Sequence, residues 1–410
     1  MINKNKSQFG LPEEVKFCTK CVESNQRFLS SSQHKIRASE NKETIYFDEE
    51  GICGACNYYA EKNKIDWTAR EREFQDILDK YRSRDGSYDV LIPGSGGKDS
   101  IYTSFLLKKK YNMNPLTCTW SPGEYTDIGW KNYKSWINSG FDNILFTPNK
   151  KIHGLLTRVA FENVLHPFQP FALGQYSFPL KVAIQNKIKL IIYGDGVEER
   201  ATGKPNNKKL NKNLKLWNFL YRKNNDDIFL GGVEIKELIS RYKISKSDLL
   251  PFLPISEDQV KESKLEVLPI TRFINYNPQD NFYYAKENSN FQVNPDGRSE
   301  GTYTKYSSLD DKFDGFHYYT WFIKTGRGRA TEDAAIEVRN EIITRQEAVS
   351  LVKKYDGEFP KKYFKDFLNH TNLNEKKFFE IIDKFRSPHL WEKVSGKWIL
   401  KKAVWKNDKS

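Results

Sequence analysis

The segment Ser95-Gly96-Gly97-Lys98-Asp99-Ser100 sets the tightest limit on what this chain can fold into. An apolar run, Tyr88-Asp89-Val90-Leu91-Ile92-Pro93, precedes it, and a helical pattern from Ile101 to Lys110 follows. Strand, glycine turn and helix start together make an anion cradle. Glycines let backbone N–H groups close on an oxyanion, and the helix N-terminus adds the positive end of its dipole. A lone Ser-Gly-Gly turn would say little. The whole hexapeptide between a strand and a helix points to bound phosphate.

The surrounding sequence alternates strands and helices. Candidate strands lie at 88–93, 115–120, 143–147 and 189–193, and a helix is expected over 67–81 with Phe74, Ile77, Leu78 and Tyr81 on its apolar face. Such alternation argues for an α/β fold with a parallel sheet covered on both faces. Ligands of such sheets bind beyond the carboxyl ends of the strands. Polar clusters follow each candidate strand: Ser95 to Ser100, Ser121 to Asp127, Thr147 to Lys150, and Gly194 to Glu199.

Residues 201–300 are polar, aromatic and proline-punctuated, and read as an irregular insertion serving as a lid or substrate region. Within it and just before it, Arg200 to Asn225 holds eight Lys or Arg and no acid, which reads as a basic lid loop or a solvated insertion. Helices return after 300. Thr331 is expected to cap one of them, Thr344 to Glu347 forms a capping box, and Asn374 caps a helix with Phe378, Ile381, Ile382 and Phe385 on one face. Four regions result: a cysteine module (1–65), an α/β core (66–200), the insertion (201–300) and a helical C-terminal region completing the site (301–410).

The chain has five cysteines. Cys18 and Cys21, then Cys53 and Cys56, form two C-x-x-C pairs, and four thiolates fit tetrahedral structural Zn²⁺. An iron–sulfur cluster and a redox pair are the competing readings. Ile45-Tyr46-Phe47 reads as a short strand and Gly51 to Cys56 as a ribbon tip, with a loop bulging between 22 and 44. Cys118 falls within a candidate strand and reads as a structural thiol.

The net charge of +13 calls for an anionic partner. The basic residues are spread along the chain, so nucleotides and nucleotide-sugars are favoured over nucleic acid. No apolar run is long enough to span a membrane, and the first residues lack the apolar core of a signal peptide, so no membrane association and a cytoplasmic location are expected. The six histidines show no partner spacing; only His166, in Leu165-His166-Pro167-Phe168, is a candidate substrate contact.

A second cluster, Lys324-Thr325-Gly326-Arg327-Gly328-Arg329-Ala330-Thr331-Glu332-Asp333, packs glycines, two arginines and acids around a helix start. It is either an ordinary cap or an anion clamp. In the clamp reading Arg327 and Arg329 hold phosphate or carboxylate, and Glu332 or Asp333 orients a nucleophile or metal.

The hexapeptide is not the Walker pattern, which needs G-x-x-x-x-G-K-[ST]. It resembles the loop of the ATP pyrophosphatase (PP-loop) family, which implies a HUP-type, adenine nucleotide alpha hydrolase-like core and cleavage of ATP to AMP and pyrophosphate. The wider motif order resembles the N-acetyl sugar amidotransferase family. The matching pieces are the two C-x-x-C pairs, Pro93 to Ser100, Thr126-Asp127-Ile128-Gly129 with Asn132, His166-Pro167-Phe168, and Gly328 to Asp333. One departure is visible: Gly194-Asp195 stands where the family pattern has Gly-Glu.

The resemblance implies conversion of a sugar N-acetyl group to an acetamidino group for surface glycans, with Mg²⁺, ATP and a nucleotide-sugar. It also implies ammonia from a class I glutaminase subunit with a cyclase-like companion. The ATP-binding set expected is Ser95, Gly96, Gly97, Lys98, Asp99, Ser100, Thr119, Gly194 and Asp195. The catalytic set is Lys98, Asp99, Arg329, Glu332 and Asp333. Thr126, Asp127, Asn132, His166 and Arg327 are the expected substrate contacts. A tRNA-thiolating PP-loop enzyme and a non-catalytic zinc-ribbon nucleotide-binding module are the alternatives.

Overall fold

The computed structural model describes residues 7–29, 42–196 and 229–407. The basic segment 200–225, the acidic pair Glu198-Glu199 and the middle of the loop between the cysteine pairs lie outside the described residues.

Five parallel strands form the central sheet: β1 (Val90–Pro93), β2 (Pro115–Trp120), β3 (Asp142–Phe146), β4 (Leu190–Tyr193) and β5 (Glu266–Pro269), in the order β3-β2-β1-β4-β5. The helices that position the site are α1 (Gly54–Lys62), α2 (Trp67–Tyr81), α3 (Lys98–Phe105), α4 (Asp127–Asn138), α5 (Lys150–Val164), α6 (Gln169–Gln185), α7 (Pro278–Asn288), α8 (Asp314–Thr325), α9 (Arg329–Arg339) and α10 (Arg345–Tyr355). No helix among the described residues is long and apolar enough to cross a membrane.

Strand periodicity assigns the two faces. Leu91 and Ile191 point into one cluster with Leu156 and Val159 of α5 and Phe178 of α6; Val90, Ile92, Leu190 and Ile192 point into another with Phe74 and Leu78 of α2. Both faces are covered, which is why β1 and β2 are buried at every residue. Helix α2 has the bounds its sequence predicts, and Asp66 caps it by accepting from Thr68 N and Ala69 N.

Four strands fall where the alternation puts them. The fifth corrects the reading of 201–300 as irregular: β5 completes the core sheet, and α7 packs on α3. Leu265-Glu266-Val267-Leu268-Pro269 is too short and too close to a proline to stand out. The proline is tolerated because β5 is an edge strand.

Two local expectations are also corrected. Helix α9 starts at Arg329 with Gly328 as its cap, because Asp356, from the end of α10, accepts from Gly328 N (2.9 Å), Thr331 N (3.1 Å) and the Thr331 hydroxyl. The second cysteine pair is not a ribbon tip. Phe47 bridges Cys53, and α1 begins at Gly54, so Cys56 sits in its first turn. The capping box at Thr344 and the Asn374 cap form as expected.

Candidate active site and metal centre

The chain runs outward from β1 to β2 and β3, then returns to place β4 on the other side of β1. The loops leaving β1 and β4 diverge over that switch point, the usual ligand crevice of an open parallel sheet. A cavity of about 390 Å³ lies there. Ser95, Gly96, Gly97, Lys98 and Asp99 line it from the β1 loop, and Asp195 and Gly196 from the β4 loop. Asn132 of α4, Tyr176 of α6, the 306–311 segment, Asp314 and Trp321 of α8, Arg329 of α9 and Arg27 of the cysteine module complete the wall.

Helix α3 begins at Lys98, three residues before the expected start, so Lys98, Asp99 and Ser100 form its first turn. The loop before it is braced. Ser100 Oγ accepts from Gly96 N (3.2 Å) and donates to Gly97 O (2.9 Å). Gly96 has φ +81°, and a Cβ there would lie 2.6 Å from Tyr133 Cα, so the fold itself requires glycine. Gly97 is different. Its nearest neighbour for a Cβ is Ser95 Oγ at 3.6 Å, so the protein leaves room there and the fold does not itself require glycine. Gly97→Ala is therefore expected to melt like the parent yet bind ATP about tenfold or more weakly, the loss of a charge-assisted contact to phosphate. Calorimetric titration with ATP checks this; unchanged affinity would remove Gly97 from the cradle.

Asp99 faces the cavity from a fixed position. Its carboxylate accepts from Tyr276 Oη (3.1 Å), from Asn281 Nδ2 of α7 (2.9 Å) and from Lys98 Nζ (2.5 Å). Lys98 lies 5.7 Å from the Tyr306 ring centroid and lines the cavity, so it turns to the site and not to solvent. Gly194 presses against the Asp99 carbonyl, and Asp195 reaches the wall beside it.

The downstream cluster divides. Arg329 is on the wall, held by Asp333 (Nε to Oδ1, 3.0 Å) and by the Tyr318 hydroxyl. Burial opposes the Arg329 charge, but Asp333, Tyr318, Glu332 and Asp314 together more than offset it, so its pKa stays raised. Asp333, which also accepts from Thr302 Oγ1 (2.7 Å), is a positioning group. Arg327 is not on the wall: it is 1% exposed and grips Glu23 through Nε (2.7 Å) and Nη2 (3.2 Å). Glu332 is buried against Arg27 Nη1 (2.9 Å).

Four other expected contacts are drawn elsewhere by packing. Thr119 is inside β2, accepting from Asn143 Nδ2 (3.2 Å). Thr126 caps α4, accepting from Gly129 N (2.9 Å), and donates to Leu309 O. Asp127 is exposed in the first turn of α4. His166 is buried with its ring 5.3 Å from that of His317. Asn132 does reach the wall, but its amide clamps residue 292 in both directions (2.8 and 2.9 Å).

Histidine pairing escapes the sequence. His153 Nδ1 lies 3.0 Å from His370 Nε2. Burial pushes the pKa of His153 and His317 down to about 3 and that of His370 to about 4, so all three are neutral. Among the described residues the cavity wall has carboxylates and no histidine. Asp310, Asp311 and Asp314 are on the wall, and burial lifts Asp314 to about 6 and also raises Asp311. The run Asp310-Asp311-Lys312-Phe313-Asp314 was the sequence signal for this group. Arg27, Tyr276, Asn281 and Tyr306 had none.

The four paired cysteines converge. Cys18 Sγ lies 3.8 Å from Cys56 Sγ and Cys21 Sγ 3.7 Å from Cys53 Sγ, and all four sulfurs fall within 4.8 Å of one another. A single ion with sulfurs at about 2.3 Å in a tetrahedron sets them about 3.8 Å apart. A cubane would need room for four irons between them. Backbone N–H groups of Cys21 (3.4 Å) and Cys53 (3.2 Å) donate to Cys18 Sγ, and buried Arg339 approaches Cys21 Sγ (3.7 Å), which suits a site of net negative charge. The donor set therefore fits one mononuclear metal ion. Cys118 is buried in β2, where burial pushes its thiol up, and it is not on the cavity wall.

A segment is 31% identical over 81 residues to the uncharacterized protein MJ1599 of Methanocaldococcus jannaschii; this is 20% of the chain, and the chain spans 29% of that relative's length. A U34-tRNA thiolase, NcsA from Methanococcus maripaludis with its [4Fe-4S] cluster, superposes over 80% of the chain and 91% of its own, with 14% identity and a TM-score of 0.28, too low to bear on fold or function. Residues 300–404, which contribute Tyr306 to Asp311, Asp314, Trp321 and Arg329 to the cavity, match the family described as LPS biosynthesis protein WbpG-like, C-terminal domain. The likeness to a WbpG-like C-terminal domain covers that part of the chain and takes in the Arg329 side of the cavity wall.

Proposed function

We propose that the chain is an ATP-dependent amidotransferase that converts a sugar N-acetyl group to an acetamidino group in surface-glycan synthesis. The observation that carries the reading is one cavity lined by the Ser95–Asp99 cradle and by Arg329 of the WbpG-like domain. Backbone N–H groups of the β1 loop bind the departing pyrophosphate, and Lys98 and Arg329 neutralise its charge. Asp99 is the residue that would hold Mg²⁺, whose role when bound is to draw charge from the phosphates. The N-acetyl oxygen attacks the α-phosphorus, releasing pyrophosphate and leaving an O-adenylyl imidate. Ammonia then adds to the imidate carbon and AMP departs with its oxygen. Asp314, with its pKa lifted to about 6, is suited to accept the proton that ammonia loses.

Cys18, Cys21, Cys53 and Cys56 would hold structural Zn²⁺, which clamps the module as a rigid tetrahedron. Ammonia is supplied in this reading by a separate class I glutaminase, with a cyclase-like companion. The thiolase alternative would need a sulfur carrier at the reacting atoms, and no cysteine is on the wall. A non-catalytic nucleotide-binding module would share the cradle but release no pyrophosphate. The test incubates the chain with ATP, Mg²⁺, ammonium and candidate nucleotide-sugars, and looks for a product in which NH replaces oxygen.

A further inference from the structure

Two arginines reach the cavity from opposite ends of the chain. Arg27, from the cysteine module, is 6% exposed, yet lines the cavity. Its Nη1 is committed to Glu332 (2.9 Å), with Glu23 at 3.7 Å, and its buried Nε has no hydrogen-bond partner. Trp321, also on the wall, has the Arg27 guanidinium 5.8 Å and the Arg327 guanidinium 5.3 Å from its ring. Arg327 and Glu332 are themselves 3.5 Å apart, so Glu23, Arg27, Arg327 and Glu332 form one buried, charge-balanced network.

Such a network is costly to bury. It does not serve the phosphate cradle: the contacts of Arg27 are to Glu23, Glu332 and Trp321, whereas Lys98 and Asp99 are held by Tyr306, Tyr276 and Asn281. What it accomplishes is to fix a guanidinium, locked at Nη1, on the cavity wall. Arg329 is presented in the same manner, with Nε and Nη1 committed and Nη2 left over. A planar donor held this way is suited to an oxyanion.

We infer that Arg27 is an anion-binding residue for the second substrate, gripping a carboxylate or phosphate oxygen of the acceptor, and that the cysteine module is part of the acceptor site. Its identity as the acceptor site rests on the amidotransferase reading; the anion site itself does not. The four-cysteine module then acts in recognition, since it holds Glu23 two residues after Cys21, where Glu23 N donates to Cys21 Sγ (3.4 Å).

The test is direct binding to the full chain, by calorimetry, of three probes: UDP, glucuronate and ATP. Arg27→Met alone would strand Glu332, so the informative variant is Arg27→Met with Glu332→Gln, which keeps the network neutral, beside Arg27→Lys. The parent is expected to bind UDP or glucuronate, and which one binds identifies phosphate or carboxylate as the anion. The double variant should bind that probe about tenfold or more weakly, the worth of one hydrogen bond between charged groups, with ATP affinity unchanged and a normal melting curve. Arg27→Lys should recover part of the loss. Binding of neither probe by the parent, unchanged affinity in the folded double variant, or a loss confined to ATP would each overturn the inference. These outcomes are read without turnover, so a failure of the amidotransferase reading is distinguishable from a failure of the anion site.

Discussion

Asp99→Asn is expected to lower pyrophosphate release from ATP about a thousandfold or more, the scale on which a group stabilising transition-state charge acts. Asparagine is the informative replacement. It keeps an oxygen to accept from Tyr276 Oη and Asn281 Nδ2 and removes only the charge. The ion pair with Lys98 is also lost; at 15% and 22% exposure it lies between the exposed and the buried case, and its loss costs on the order of 1 kcal/mol. Melting should shift by no more than about 2–4 °C. Asp99→Ala should be inactive for two reasons, since it also leaves two buried donors unpaired at about 1–3 kcal/mol each. A coupled pyrophosphate assay with a thermal melt of each variant separates the two effects. Near-parental release by Asp99→Asn would show that the carboxylate charge is not used in the reaction.

Removing a metal-site thiol is expected to have the larger structural consequence. Structural zinc sites contribute about 10–16 kcal/mol of binding free energy, comparable to the 5–15 kcal/mol that holds a whole domain. The site is also the centre of a core. Cys18, Cys21, Cys53 and Cys56 pack with Ala334 and Ala335 of α9 and with Ala348 and Val352 of α10. Arg339 is buried beside Cys21 and Cys53 and would lose its counter-charge. Helix α9 begins with Arg329, so the damage should reach the cavity. Cys53→Ser is expected to melt about 10 °C or more below the parent, or to be insoluble. Metal analysis of the parent should give one zinc per chain and no inorganic sulfide. Iron with sulfide would contradict the mononuclear site, and a Cys53→Ser variant with parental melting would contradict its structural role.

Features that depend on neighbours in sequence were legible. The cradle, the four strands around it, the α2 boundaries and the capping box at Thr344 are all encoded within a few residues. Features made by distant partners were not. Nothing near Arg27 marks it as a wall residue, because Glu332, which orients it, lies 305 positions away. Arg327 and Arg329 are two residues apart in a glycine-rich run and look alike, yet Glu23 buries one and Asp333 presents the other to the cavity. The start of α9 shifted to Gly328 because Asp356 supplies the cap from another helix. β5 was hidden by its shortness, and tertiary pairing with β4 defines it.

The most direct measurement is mass spectrometry of a nucleotide-sugar carrying an N-acetyl group after incubation with the chain, ATP, Mg²⁺ and ¹⁵N-ammonium. A product with labelled NH in place of one acetyl oxygen, formed together with AMP and pyrophosphate in equal amounts, is the expected result. AMP and pyrophosphate formed without label in any sugar, or sulfur transferred to RNA, would contradict amidine formation.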